Sequence, residues 1–427
     1  MNETVQIITL GCPKNEVDSE IIGGIIERSG YSIYKGEDEE HPDIVLINTC
    51  GFIQDAKTET LEQIEQVVAL KEKGYISKIY VAGCLVKRYE DDLKNSFKGI
   101  DGFFSVTDFL NIANEFSGSW YEKDLIRRVL FTPGHYAYLK IAEGCDYKCS
   151  FCVIPGIRGP MKSRPVEQLL NETHRLVENG VREIIVIAED ITQYGRDLDS
   201  KNDLITLLEK METISGLHWI RLLYAFPGNV SDRLVEIIRS SNKICKYLDI
   251  PIQHAADSVL KNMNRTYRQK HVVKLIDSLR KEIPGITLRS SVIVGYPGET
   301  EKDFIALSDF LTDIAFERLG VFSYSDEPGA EAFNAINKVE PEIITERYEE
   351  IRLNQDVIAE KKSRERIGTT IEVIVDEKDG ETGDYLGRTE GDAPEIDNIV
   401  RITRAAVPGE FLSITVNNAT AFELTGN

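Results

Sequence analysis

Three cysteines stand within eight residues of one another in the run Cys145-Asp146-Tyr147-Lys148-Cys149-Ser150-Phe151-Cys152. Thiolates at this spacing suit one compact metal centre. Four cysteines would saturate a four-iron cubane. Three local ones leave one iron open to an outside ligand, and an amino-acid chelate fits such a position.

Zinc is the competing reading. Zinc sites usually take four Cys or His ligands, and no nearby His completes this set. Cys245 is distant in sequence, follows a helical stretch and reads as a core residue. An iron–sulfur cluster is therefore the preferred reading. Phe151, immediately before the third cysteine, adds an aromatic face that can pack against an adenine ring. The methionyl end of S-adenosylmethionine would chelate the open iron, and an electron from the cluster would then cleave the sulfonium and release a 5′-deoxyadenosyl radical. In such chemistry the protein supplies orientation and exclusion.

Three further cysteines share one topological position. Cys12 follows the strand-like run 5–10, Cys50 follows 44–47, and Cys84 follows 79–82. Gly11, Gly51 and Gly83 lie beside them and permit tight turns and close backbone approach. Ligands of open parallel sheets bind beyond the carboxyl ends of the strands, so these thiols are expected to meet at one ligand site. The alternative is three buried structural cysteines.

The elements that must position these residues alternate. Strands at 5–10, 44–47, 79–82 and 103–106, with helices at 19–28 and 58–70, predict an N-terminal doubly wound parallel sheet, an α/β domain. A connector at 117–134 leads to six further strands, at 136–141, 183–188, 219–224, 247–250, 287–294 and 318–324. With helical patterns between them, they predict a partial (β/α)6 barrel resembling the eight-unit TIM form, with its active site at the carboxyl ends of the strands. Residues 341–367 read as a charged linker helix. From residue 368 the runs 371–375, 399–402 and 412–416, punctuated by Gly, Asp, Asn and Pro, predict a small all-β barrel. The expected domains are therefore 1–116, a linker at 117–134, 135–340, the helix 341–367, and 368–427.

The 427-residue chain has a formal charge of −21, with 42% hydrophobic and 28% charged residues. Such a composition supports a large core without disulfide staples. Acidity disfavours phosphate backbones and favours a basic protein partner. No signal peptide and no membrane span are read, so a cytoplasmic location is expected. Seven cysteines, an odd number, then suggest metal or redox chemistry before disulfides.

The run from Cys149 to Pro155 with Arg158-Gly159 and Ser163-Arg164 resembles the methylthiotransferases of the radical S-adenosylmethionine superfamily, and the resemblance covers essentially the whole chain. It implies a methylthiotransferase domain, a radical S-adenosylmethionine barrel and a TRAM-like terminal β-barrel, in that order. It also implies that Cys12, Cys50 and Cys84 hold an auxiliary cluster and Cys145, Cys149 and Cys152 the radical cluster, hence two [4Fe-4S] clusters with S-adenosylmethionine. One cofactor would methylate sulfur near the auxiliary cluster, and a second would supply the radical. Ala188-Glu189-Asp190 stands where the superfamily often has Gly-Gly-Glu against the cofactor's amino group. Gly295-Tyr296-Pro297-Gly298-Glu299 matches a turn near the cofactor, and equally suits a tight β-to-α connection.

Within that family, Leu10-Gly11-Cys12-Pro13-Lys14-Asn15 resembles the branch that modifies an aspartate β-carbon of small-subunit ribosomal protein twelve. The competing branch modifies a tRNA adenosine and usually has Gln-Met where Pro13-Lys14 stands. From Arg366 to the end the chain carries five basic and twelve acidic residues, a net charge of −7. A barrel that grips tRNA should be basic, so tRNA is the weaker partner. Asp392, Glu395 and Asp397, in a run that also resembles the ribosomal-protein branch, are expected to dock the basic substrate protein. A reductant such as flavodoxin or ferredoxin is implied. A two-cluster electron carrier is the alternative from another class.

Overall fold

The computed structural model describes residues 3–34, 36, 41–198 and 203–427. Runs of β-branched and aliphatic residues form five strands near the N-terminus: β1 (Thr4–Thr9), β2 (Ser32–Ile33), β3 (Ile44–Thr49), β4 (Lys78–Gly83) and β5 (Gly102–Phe104). They pair in parallel in the order β2-β1-β3-β4-β5. Every residue of β3 is buried, as a central strand covered on both faces requires. Helices α1 (Pro13–Arg28), α2 (Gln54–Glu72) and α3 (Cys84–Ser96) make the crossovers, and α4 (Phe109–Glu115) follows β5. The edge strand β2 is too short to show an alternating pattern and was not expected from the sequence.

Helix α1 begins at Pro13, six residues before the expected start at 19. Cys12 is its N-cap and Pro13 occupies its first turn, where a missing N–H costs nothing. Its opening residues Lys14, Asn15, Asp18, Ser19 and Glu20 are polar yet buried, so no apolar stripe marks them.

After β6 (Tyr136–Lys140) comes a short antiparallel pair, β7 (Ala142–Glu143) and β8 (Lys162–Ser163), which brackets the cysteine loop and the short helix α5 (Ile154–Arg158). Five strands follow: β9 (Glu183–Ile187), β10 (Trp219–Leu222), β11 (Tyr247–Asp249), β12 (Thr287–Val294) and β13 (Arg318–Ser323). All six expected strands are present, each ending within two residues of its predicted bounds. β9 pairs with β10, and β12 with β11 and β13, all in parallel. This alternation is that of a partial (β/α)6 TIM-like barrel. The long helix Pro341–Arg364 leads to a closed barrel of β14 (Thr370–Lys378), β15 (Tyr385–Arg388), β16 (Ile399–Ile402), β17 (Phe411–Ala419) and β18 (Glu423–Gly426), in the order β14-β15-β16-β18-β17. Its core is made by Val373, Val375, Val400, Ile402, Ile414 and Val416.

The chain divides into two compact units. The first comprises Met1–Thr132, Tyr138–Arg175 and Ser325–Phe333; the second comprises Pro133–Ala137, Leu176–Tyr324 and Asn334–Asn427. Inside the second unit, the β15–β16 connection lies against the amino ends of the barrel strands. Arg318 of β13 pairs with Asp392 at 2.5 Å, and Tyr247 of β11 donates to Asp397 at 2.7 Å. Arg289 of β12 lies 3.4 Å from Asp397, and Tyr136 of β6 donates to Glu395 at 3.3 Å. Arg221 of β10 donates to the carbonyl oxygen of Glu390 at 2.7 Å, and Glu183 of β9 accepts from Arg388 at 2.8 Å. All six strands thus contribute to this contact.

That arrangement corrects the expected docking roles of Asp392 and Asp397. Their side chains are 2% and 1% exposed and already satisfied within the chain, so they are not presented to a partner protein. An acidic loop reads as solvated only when its distant arginines are not visible beside it. Glu395 alone of the three remains exposed.

Candidate active site and its cysteines

The first unit holds all six candidate ligand cysteines. Cys12 caps α1, Cys50 follows β3, and Cys84 opens α3. They converge because β1, β3 and β4 are adjacent parallel strands of one sheet and each cysteine stands just beyond the carboxyl end of one of them. Asn15 holds the convergence. Its amide donates to the carbonyl oxygens of Leu10 and Thr49 at 2.9 and 3.0 Å, just before Cys12 and Cys50. Its oxygen lies 3.8 Å from Cys84 Sγ.

Two glycines shape this cradle. Gly11 has φ +94°, and a Cβ there would stand 2.6 Å from Cys50 Cβ and 2.8 Å from its Sγ. A Cβ on Gly51 would meet Leu85 Cα at 2.7 Å. Burial pushes the Cys84 thiol up to about 12 and the Cys50 thiol upward, while the Arg158 guanidinium acts in the opposite direction on both. Buried thiols of this kind become ligands when a metal displaces their protons.

The second trio is presented by the loop between β7 and α5. Its ends are pinned where Cys145 N donates to the Gly159 carbonyl at 3.1 Å, and a turn closes from Cys152 N to the Cys149 carbonyl at 3.0 Å. Cys145, Cys149 and Cys152 line one cavity of about 720 Å³, together with Lys87, Arg88 and Pro328. The segment Ser325–Phe333 closes its side: Glu327 pairs with Lys57 at 3.0 Å and Arg88 at 2.8 Å, and Ala332 N donates to the Ser150 carbonyl at 2.8 Å. Phe151 is half-buried in this loop.

None of the seven cysteines is in a disulfide. Among the described residues, no three His, Cys, Asp or Glu side chains are gathered about a point that would hold a single ion. The donor set is one thiol at each of three glycine-bordered strand ends and three thiols on one cavity-lining loop, and thiolates are the ligands that hold iron–sulfur clusters. Cys245 is buried in the second unit, its thiol pushed up to about 12 by burial, as expected for a core residue.

The remaining expected cofactor residues lie in the second unit. Asp190 spends its carboxylate on the chain itself, accepting from Thr192 N at 2.8 Å and Phe226 N at 3.2 Å. Glu189 is the half-exposed member of the pair. In the turn after β12, Gly295 and Gly298 have φ of +79° and +84°. Glu299 accepts from Gly295 N at 2.9 Å and pairs with Arg347 at 2.7 Å, with His254 at 3.4 Å. Asp190 and Glu299 thus brace their own loops. Sequence reasoning missed Asn15 as a bridge and the buried set Asp18, Lys140, Glu143 and Arg158. Of these, only Asn15 and Arg158, each inside a motif, carried any signal.

Family models match along the chain: Uncharacterized protein family UPF0004 over residues 4–105, the Radical SAM superfamily over 139–311, and the TRAM domain over 367–427. The structure is similar to the radical S-adenosylmethionine methyltransferase TsrM from Kitasatospora setae, with TM-score 0.53 and 14% identity over 76% of this chain and 75% of that one. It is similar to the cobalamin-dependent radical enzyme OxsB, with TM-score 0.51 and 13% identity over 82% of this chain and 56% of that one. At these identities the likeness shows the fold. Barrel, cysteine loop and matched superfamily define a radical S-adenosylmethionine enzyme, which implies a [4Fe-4S] cluster and S-adenosylmethionine.

Full-length relatives narrow the class. The chain is 42% identical to the ribosomal protein uS12 methylthiotransferase RimO of Flavobacterium psychrophilum, covering 99% of this chain and 97% of that protein. It is 41% identical to RimO of Bacteroides fragilis, covering 99% of each. The chain belongs to the RimO family of methylthiotransferases.

Proposed function

We propose that this protein adds a methylthio group to the β-carbon of an aspartate in ribosomal protein uS12, using two [4Fe-4S] clusters. The observation that carries the reading is the convergence of Cys12, Cys50 and Cys84 in the same unit as the Cys145 loop. An aspartate β-hydrogen is too weakly acidic for ordinary base chemistry. A bound cluster with S-adenosylmethionine supplies the one-electron chemistry that opens such a C–H bond.

The chain's own residues hold and orient. Cys145, Cys149 and Cys152 anchor the radical cluster at the cavity, and Phe151 stacks on the adenine. Glu189 meets the cofactor's amino group, and the Gly295, Pro297 and Gly298 turn supplies close backbone approach. Cys12, Cys50 and Cys84 hold the auxiliary cluster at which sulfur is methylated. Glu395 is the tail residue that still meets a basic partner. A flavodoxin or ferredoxin supplies electrons, and the protein works in the cytoplasm. No helix among the described residues is long and apolar enough to cross a membrane.

A competition assay tests the reading. The reconstituted enzyme is offered uS12 beside unmodified tRNA, and mass spectrometry locates the added group. Methylthiolation of the uS12 aspartate is expected. A product on tRNA adenosine with none on uS12 would overturn it, as would cofactor turnover without any methylthiolated product, which marks an electron carrier.

A further inference from the structure

Arg158 lies at the end of α5, six residues beyond Cys152, with its side chain 1% exposed. One guanidinium nitrogen donates to Asp18 at 3.1 Å and to Glu143 at 2.7 Å. Lys140 takes the other oxygens of both carboxylates. Two cations and two anions therefore balance in a buried quartet. The second nitrogen, Nη2, points elsewhere: it donates to Asn15 Oδ1 at 2.6 Å and lies 3.8 Å from Cys84 Sγ.

Asn15 is the side chain that ties the strand ends before Cys12 and Cys50. Arg158 thus grips the auxiliary centre twice, through Asn15 and directly at Cys84. A cationic N–H beside a thiolate makes a charge-assisted hydrogen bond. Hydrogen bonds to cluster sulfurs and nearby charge set the cluster's reduction potential. A guanidinium at Cys84 favours the reduced, more negative state and so raises that potential.

We propose that Arg158 is a positioning residue of the auxiliary centre, holding Cys84 and setting the reduction potential of the cluster bound there. The proposal rests on the two-cluster reading. Its role differs from that of the three thiols, since Arg158 ligates nothing. The quartet fixes its guanidinium, and the same short helix joins it covalently to the radical loop.

The test uses the full chain in a Cys145→Ala background, which retains only the auxiliary cluster, with an EPR-monitored redox titration and an iron assay. In Arg158→Lys the charge still serves Asp18 and Glu143, but the fork that reaches Cys84 is gone. A more negative midpoint at full iron content is expected. Arg158→Gln with Glu143→Gln keeps the quartet neutral, and a larger shift in the same direction is expected. Loss of iron from that folded double variant also supports the proposal, because Cys84 is then no longer held. A midpoint unchanged in Arg158→Lys at full iron content overturns the proposal whatever the double variant does. Absence of iron from the Cys145→Ala parent overturns the two-cluster reading, and the proposal with it.

Discussion

Asp392 accepts two hydrogen bonds from Arg318, from Nε at 3.1 Å and from Nη2 at 2.5 Å, across 74 residues of sequence. Its other oxygen accepts from the Thr389 hydroxyl at 2.5 Å. Arg318 is the first residue of β13, so this pair fastens the terminal barrel to the amino end of the TIM-like barrel. Catalytic groups of such barrels gather at the opposite, carboxyl end. Removing one partner of a buried ion pair costs about 3–5 kcal/mol, because the other charge is left uncompensated. Asp392→Ala should therefore lower the thermal unfolding midpoint clearly while iron content stays at the wild-type level. A midpoint equal to wild type would show that the pair contributes nothing.

The same contact makes stability depend on acid. Burial pushes the Asp392 carboxyl up, but Arg318 and the Thr389 hydroxyl outweigh it and hold it below the usual range. Glu183 is likewise held down, by Arg388 and Arg221 against its burial. A carboxylate with a depressed folded pKa stabilises the fold above its unfolded value and loses that contribution as the pH falls through the folded one. Unfolded Asp and Glu titrate at about 3.9 and 4.3. The contribution of these two carboxylates should thus be flat from pH 7 to about 5 and fall below about 4. Asp392→Asn should start lower and fall less steeply. Parallel curves for the two proteins would remove Asp392 from the account.

The cysteines were legible because both signals are local: three thiols in one loop, and three at the ends of apolar runs. The barrel strands were legible because buried parallel strands read as continuous aliphatic runs. What lay hidden is long-range. Asn15 and Asp18 are polar residues in the first two turns of α1, and only the fold brings Arg158 to them across 143 and 140 residues. The acidic run at 392–397 gave the opposite error. Its charges looked solvent-facing because Arg318 and Arg289 lie far upstream. Strands β15 and β18 carry one aliphatic residue each and did not stand out in the tail, whereas the equally short β16 carries three.

Cys245 provides an internal control for the six candidate ligand cysteines. It is 1% exposed and lies in the second unit, whereas the other six cysteines lie in the first. Cys245→Ala should keep the full iron content and cofactor cleavage, with a loss of about 1 kcal/mol in stability from the lost packing. An iron content reduced by one cluster's worth in that variant would place Cys245 in a cluster and reopen the ligand assignment.

Gly11 offers the sharpest separation of site from fold. Its φ of +94° is strained for any residue with a Cβ, and the added carbon would stand 2.8 Å from Cys50 Sγ. Strain of this kind costs about 1–3 kcal/mol, too little to unfold a chain of this size. It falls, however, on Cys50, a thiol of the proposed auxiliary cluster. Gly11→Ala should therefore give a folded protein with unchanged circular dichroism that loads the radical cluster and cleaves S-adenosylmethionine, while the auxiliary iron and methylthiolated product fall together. The measurements are iron per chain, 5′-deoxyadenosine formed and product mass. If Gly11→Ala binds the same iron as wild type and yields the same product, the cradle around Cys50 tolerates a methyl group. The close approach of Gly11 to Cys50 would then have no part in holding the cluster.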